Sequence, residues 1–258
     1  MKAEDIVKKL KMPVINEYFE KYIFPNINTF NKVPSESYDT ASKLKAIILS
    51  GDIGSGKSTL ARKFSEIAVN KYGIENVNSI ISTNIEDAVL YGLDNKLVQL
   101  QIIEDFTLKK ETNEMVRLYL QIRKIWKNIY NKPNGLIISI FNLHRFHSSI
   151  KEIRGTSKAF IARTDSLSEY DHNFINRMLQ LEGSDSLKVL EEAETIGNIE
   201  ELKNYSLCRT RTGVIGLLNY PPPQINYVVD VNVLKEKYTF VDQLFRRKEI
   251  LFDMNNKS

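Results

Sequence analysis

Nine consecutive residues concentrate the chemistry of this chain: Gly51, Asp52, Ile53, Gly54, Ser55, Gly56, Lys57, Ser58 and Thr59. Gly51, Gly56, Lys57 and Ser58 meet the spacing G-x-x-x-x-G-K-[ST]. A polyphosphate needs several backbone N–H groups aimed at it at once. Glycine lets the chain curl that tightly and come that close. A helix starting inside the stretch adds unpaired N–H donors and the positive end of its dipole. In such a loop the lysine reaches the β- and γ-phosphates and the next hydroxyl ligates Mg²⁺. Residues 51–59 are therefore expected to hold a nucleoside triphosphate, with Ser58 on the metal.

Hydrolysis also needs a carboxylate near Mg²⁺ and a group that orients water. "LVQLQIIEDF" (97–106) supplies Glu104 and Asp105 at the end of an apolar strand. Ligands collect at the carboxyl ends of parallel strands, so the second half of the site is expected there. The usual order is Asp then Glu, and here it is reversed. By register Glu104 takes the Mg²⁺ side, with Ser58, and Asp105 activates water. The later strand "GLIISIFN" ends in Ser139 and Asn142. Asn142 is the residue chosen to sense the γ-phosphate and position water; its plainer role is a helix cap or turn.

These residues need a frame. "LKAIILS" before the loop reads as a buried parallel strand. "KSTLARKFSEIAVNKYG" after it reads as a helix stopped by Gly73. Strands are expected at 45–50, 77–83, 97–105, 135–142 and 158–163, and helices at 57–72, 85–92, 113–131 and 148–155. That alternation argues for an α/β fold, a mainly parallel sheet flanked by helices. Residues 166–258 add a longer helical region at 169–198, a hairpin at 205–221 turning near "RTG", a strand in "INYVVDVN" and a terminal helix. Residues 1–44 read as a helical appendage and polar linker, and 45–258 as the nucleotide-binding domain with its core at 45–165. Strand 77–83 intervenes before the acidic strand. ATPases with an added central strand, such as AAA+, RecA and FtsK/HerA proteins, show this.

Composition sets wider bounds. The 258 residues are 42% apolar and 26% charged, ordinary for a globular protein. A net charge of +4 permits a nucleic-acid partner without demanding one. The single cysteine, Cys208, excludes an intrachain disulfide and a cysteine metal cluster. "MKAEDIVKKLKM" is charged throughout, unlike a signal peptide, and no apolar run approaches the roughly 20 residues of a membrane span. The protein is expected inside a cell.

"GDIGSGKST", "LQIIEDF", "VRLYLQIRKIWKNIY" and "GLIISIFNLHRFHSSIKEIRGTSKAFIAR" together are similar to small ATPases of archaeal spindle-shaped viruses and plasmids, described as DnaA-like or AAA-like. The segment "FNLHRFHSSIKEIRGTSKAFIAR" also resembles FtsK/HerA DNA-pumping ATPases. The resemblance covers residues 45–165. It departs from FtsK/HerA in the reversed acidic pair and in Asn142, which stands near where a glutamine is usual. The resemblance implies a P-loop NTPase fold, self-association into a ring, a location in the host cytoplasm for a viral protein, and an arginine offered to the neighbouring subunit's γ-phosphate. Arg145, Arg154 and Arg163 follow the Asn142 strand. The Ile-Arg pattern favours Arg154, with Arg163 at a strand end second.

Other polar residues have plainer readings. His144, His147 and His172 lack further ligands for zinc. Arg117, Arg123, Lys124 and Lys127 on helix 113–131 either touch DNA phosphates or form a solvated face, while Ile122, Ile125 and Trp126 pack on the sheet. Arg209, Arg211 and Arg246, Arg247, Lys248 are further basic groups. No helix-turn-helix stands out, so any DNA contact is expected to be non-specific. Three functions remain open: an ATP-driven motor on DNA, such as a genome-packaging ring; an AAA+-type initiator or helicase loader; and a nucleotide-dependent protein switch. In the second, 169–198 would be a lid with Arg177 as sensor. An N-K-x-D base-reading motif is absent, since "DNKL" (94–97) has the wrong order, so ATP with Mg²⁺ is the expected cofactor pair.

Overall fold

A computed structural model of the protein describes residues 3–28, 43–104, 113–130, 135–144, 151–163, 191, 195–196, 199–239 and 242–243. The strands among them are β1 (Leu44–Ser50), β2 (Val77–Ser82), β3 (Val98–Ile103), β4 (Leu136–Leu143), β5 (Ser157–Arg163), β6 (Tyr205–Thr210), β7 (Ile215–Asn219) and β8 (Val229–Asp230). They form one sheet in the order β7-β6-β5-β1-β4-β3-β2-β8. Pairing is parallel from β5 across to β8 and antiparallel for β5–β6 and β6–β7. The five core strands and the hairpin expected from the sequence all form, the core strands within two residues of their expected ends.

The helices are α1 (Ala3–Lys9), α2 (Asn16–Ile23), α3 (Lys57–Tyr72), α4 (Ile85–Leu90), α5 (Asn113–Leu120), α6 (Ile122–Tyr130), α7 (Lys151–Thr156) and α8 (Val231–Lys235). The central strands are apolar on both faces because both faces are covered. Successive β1 side chains alternate between two cores. Ala46 and Ile48 join the core containing Ile85, Tyr119, Ile122 and Trp126, while Ile47 and Leu49 join Phe19, Leu60, Phe64 and Ala68. The glutamines of β3 are buried and bonded. Gln99 Nε2 donates to the Asp94 carboxylate at 3.0 Å, and Gln101 Nε2 donates to the Ala88 carbonyl at 2.9 Å.

The N-terminal helices are part of this packing. The Ile15 N–H donates to the Leu217 carbonyl at 2.9 Å, and the Leu217 N–H to the Pro13 carbonyl at 2.9 Å. Asn16 exchanges two hydrogen bonds with the backbone of Asn219. Phe19 is fully buried, its ring stacked 5.1 Å from Phe64 of α3. The helix expected over 113–131 is two helices meeting at Gln121, whose N–H is shared by the Arg117 and Leu118 carbonyls. Trp126 Nε1 then donates to the Asp94 carbonyl at 2.8 Å and the Tyr130 hydroxyl to the Leu93 carbonyl at 2.9 Å, fixing α6 to the loop before β3. Among the described residues no helix is long and apolar enough to cross a membrane. Most of 169–198 and of the expected terminal helix lies outside the described residues.

Candidate functional site

Residues 51–56 turn the chain from β1 into α3. Gly56 is the residue before the helix and has φ 80°, a left-handed conformation that strains any residue with a Cβ. At Gly51 a Cβ would stand 2.6 Å from Ser55 Oγ and 2.9 Å from Arg163 Cβ, so only glycine lets the loop close. Lys57 is 7% exposed, and its Nζ donates to the carbonyls of Gly51 at 2.7 Å and Asp52 at 2.6 Å. The ammonium thus sits within the curl of the loop. Ile53 is 87% exposed at its crown.

The acidic half meets this loop directly. Ser58 Oγ donates to Glu104 Oε2 at 3.1 Å, joining the first turn of α3 to the end of β3. The other carboxylate oxygen, Glu104 Oε1, is buried and without a partner. A hydroxyl and a carboxylate beside a triphosphate cradle form a hard oxygen donor set, which Mg²⁺ prefers. The orphaned Oε1 leaves that carboxylate with capacity to spare, so these residues fit the ion and its nucleotide.

No curated protein matches the chain. Residues 47–134, about a third of the chain, match the family model described as RNA helicase. Similar solved structures include the genome packaging NTPase B204 from Sulfolobus turreted icosahedral virus 2 in complex with ATPγS. It is 12% identical, with 70% of this chain and 100% of that chain covered and a TM-score of 0.44. The EssC protein (ATPases 2 and 3) from Geobacillus thermodenitrificans is 13% identical over 80% of this chain and 44% of that one, with a TM-score of 0.45. The cytoplasmic domain of the Type VII secretion ATPase EccC from Thermomonospora curvata is 11% identical over 80% and 28%, with a TM-score of 0.39.

The G-x-x-x-x-G-K-S loop between β1 and α3, set in a mainly parallel sheet, is the fold of a P-loop NTPase. In this P-loop fold β4 lies between the loop strand β1 and the acidic strand β3. The register pairs Leu49 with Asn142, and Ile103 with Phe141, so Asn142 stands level with Glu104. Asn142 is 1% exposed, and both its amide oxygen and its amide nitrogen lack partners. Buried amides are normally bonded, so an orphan at this point stands out. The site expected from the sequence is thereby brought together at Lys57, Ser58, Glu104 and Asn142. Asp105 lies outside the described residues.

The arginines separate. Arg163 ends β5, next to β1, and is 8% exposed. Its Nε donates to the Ser55 carbonyl at 2.6 Å inside the P-loop. Its remaining N–H groups donate to Ser206 Oγ at 3.0 Å and to the carbonyls of Lys203 and Tyr205. It therefore ties the P-loop to the start of β6. Reading Arg163 only as a candidate for the neighbour's site missed this role in its own. Its place at the carboxyl end of a strand was the available signal, but the adjacency of that strand to β1 appears only in the sheet. Arg154 is half-buried on α7, just before Ser157, which pairs with Ala46 near the start of β1. It lies at the opposite end of the sheet from its own P-loop. His144 is half-buried; Arg145, His147, His172, Arg177 and 246–248 lie outside the described residues. Among the described residues no group of three His, Cys, Asp or Glu side chains is placed to hold a metal. Arg117, Arg123, Lys124 and Lys127 are all exposed along α5 and α6.

Proposed function

We propose that this protein binds ATP with Mg²⁺, hydrolyses its terminal phosphoanhydride bond and works as an oligomeric motor on DNA. The observation that carries the hydrolytic part is the 3.1 Å contact between Ser58 Oγ and Glu104, which joins the P-loop to the acidic strand. Backbone amides of 52–58 and the Lys57 ammonium hold the phosphates. Ser58 and Glu104 would hold Mg²⁺, which when bound would supply positive charge beside the terminal phosphates. Asp105 takes the proton of the attacking water as its oxygen bonds the γ-phosphorus and the bond to the bridging oxygen breaks. Asn142, with an unpartnered donor and acceptor, holds that water against the γ-phosphate. Arg154, remote from its own site, serves a neighbour's γ-phosphate in a ring.

DNA as the track is supported by the exposed Arg117, Arg123, Lys124 and Lys127 and by the FtsK/HerA-like segment. Turnover of ATP is measured at low salt with and without double-stranded DNA and RNA, with Lys57→Ala as the blank. Stimulation by DNA of any sequence, and loss of all turnover in Lys57→Ala, is the expected result. Turnover indifferent to DNA sinks the motor and leaves an initiator, loader or switch. Mixing Lys57→Ala with Arg154→Ala subunits is expected to restore activity; a mixture as dead as its parts removes Arg154 from the site.

A further inference from the structure

The Ser58–Glu104 contact gives a bound triphosphate its direction. Ser58 and Glu104 would hold Mg²⁺ on the β4–β3 side of β1, and the metal-binding γ end of a triphosphate would then face that flank. The other end of the nucleotide must then leave past Thr59 toward the opposite flank, where β5 and β6 stand. A recess opens there, beside the P-loop. Thr59, Leu60, Arg163, Asn204, Pro221 and Pro222 line it.

Its outer wall is built to stay in place. Before the prolines, the Tyr220 hydroxyl donates to Glu20 Oε1 at 2.9 Å and the Tyr220 ring meets Phe64 edge-on at 5.8 Å. After them, the N–H groups of Gln224 and Ile225 donate to Glu66 Oε1 at 2.9 and 3.3 Å. Between these anchors Pro221, Pro222 and Pro223 fix three successive φ angles. Pro221 and Pro222 are nonetheless exposed. A rigid apolar ledge next to a triphosphate cradle suits a flat heteroaromatic ring, because a preformed wall costs little ordering on binding.

We propose that this recess seats the ribose and base of the bound nucleotide, held by packing against Leu60 and Pro221–Pro222. The inference rests on the triphosphate reading of the P-loop. The recess thus makes the C-terminal additions part of the nucleotide site, which 45–165 alone leaves incomplete.

Calorimetric titration with ATP and with inorganic tripolyphosphate, each with Mg²⁺, tests it on wild type, Asn204→Trp and Lys57→Ala. Asn204 is exposed, and a tryptophan there fills the recess. Wild type is expected to bind ATP at least about tenfold more tightly than tripolyphosphate, as apolar packing of one ring allows. Asn204→Trp should lose that preference while its tripolyphosphate affinity stays unchanged. Equal weakening of both ligands, or unchanged ATP affinity, overturns the seat. Retention of both ligands by Lys57→Ala overturns the P-loop reading itself. On wild type, photolabelling with 8-azido-ATP should mark residues 204–224; labelling at 84–96 instead overturns the seat even if Asn204→Trp does not fold.

Discussion

The two flanks of β1 are built to opposite rules. Toward β4 and β3, polar atoms are buried and left without partners: Glu104 Oε1 and both ends of the Asn142 amide. Toward β5 and β6, two buried charged side chains are closed on several partners. Arg163 donates to Ser55, Lys203, Tyr205 and Ser206, and Glu66 accepts from Gln224 and Ile225. Burying an unpaired polar group costs about 1–3 kcal/mol, so the first flank is held at a loss. Such a loss persists where the groups have a partner in another state. On the function proposed above, the satisfied flank grips and the unsatisfied one reacts.

The sharpest way to break this comparison is on the reacting flank. Glu104→Gln keeps the shape and removes the charge. Turnover should fall about 10²–10³-fold, the usual effect of losing one preorganised electrostatic contact, while ATP binding remains. Asp105→Asn should do the same by losing the proton acceptor. Steady-state turnover and ATP titration of both variants decide the assignment. A normal Asp105→Asn beside a dead Glu104→Gln makes Glu104 the base.

On the gripping flank the expected effect is structural first. Arg163→Ala leaves the carbonyls of Ser55, Lys203 and Tyr205 and the Ser206 hydroxyl without that donor. A loss of about 2–4 kcal/mol in urea unfolding is expected. Arg163→Lys should recover little, because one ammonium cannot span acceptors on two elements. A stability within about 0.5 kcal/mol of wild type for Arg163→Ala would show that the strut is ornamental.

That strut also shows where the sequence stops being informative. The P-loop was legible because its function is local: glycine spacing, lysine and hydroxyl lie within nine residues. The strands were legible because burial on both faces makes continuous apolar runs such as "AIIL" and "LIISIF". The partners of Arg163 were not, since Ser55 lies 108 positions away. Nor was the attachment of α2, whose Asn16 bonds Asn219 across 203 positions. Contacts at such separations depend on which strands are neighbours, and no local pattern encodes that. The break at Gln121 escaped because the apolar spacing continues through it, and the tertiary bonds of Trp126 and Tyr130 set the second helix. Asn142 could be placed on a strand end, but its lack of partners is a property of the packed structure alone.

Asn142 offers the next, smaller effect, and it separates function from folding. Asn142→Leu is close in volume and removes two unpaired polar atoms. Stability should rise by about 1–2 kcal/mol, or roughly 2–8 °C in Tm, while turnover falls. Calorimetric melting read beside the ATPase rate makes the test. A drop in both would mean that the amide is bonded within the fold, and the contrast between the flanks would fail.

The smallest effect probes how the gripping flank is charged. Glu66 is buried, and its carboxyl is held below its usual range by the hydrogen bond from Lys63 first, then by the N–H groups of Gln224 and Ile225. A carboxylate with a lowered folded pKa contributes stability above its unfolded value, here near 4.5, and loses it as pH falls through the folded value. Glu66→Gln removes the charge at every pH, since its amide carbonyl can still accept from the Gln224 N–H. Wild type should therefore exceed Glu66→Gln by about 1 kcal/mol near pH 7. The two should converge as pH drops below about 4.5, because wild type then carries a neutral carboxyl as well. Melting both proteins from pH 7 to pH 3 measures that gap. A gap that stays constant to pH 3 would mean that shape alone holds Gln224 to α3, and that the ledge of prolines is fixed by packing without help from charge.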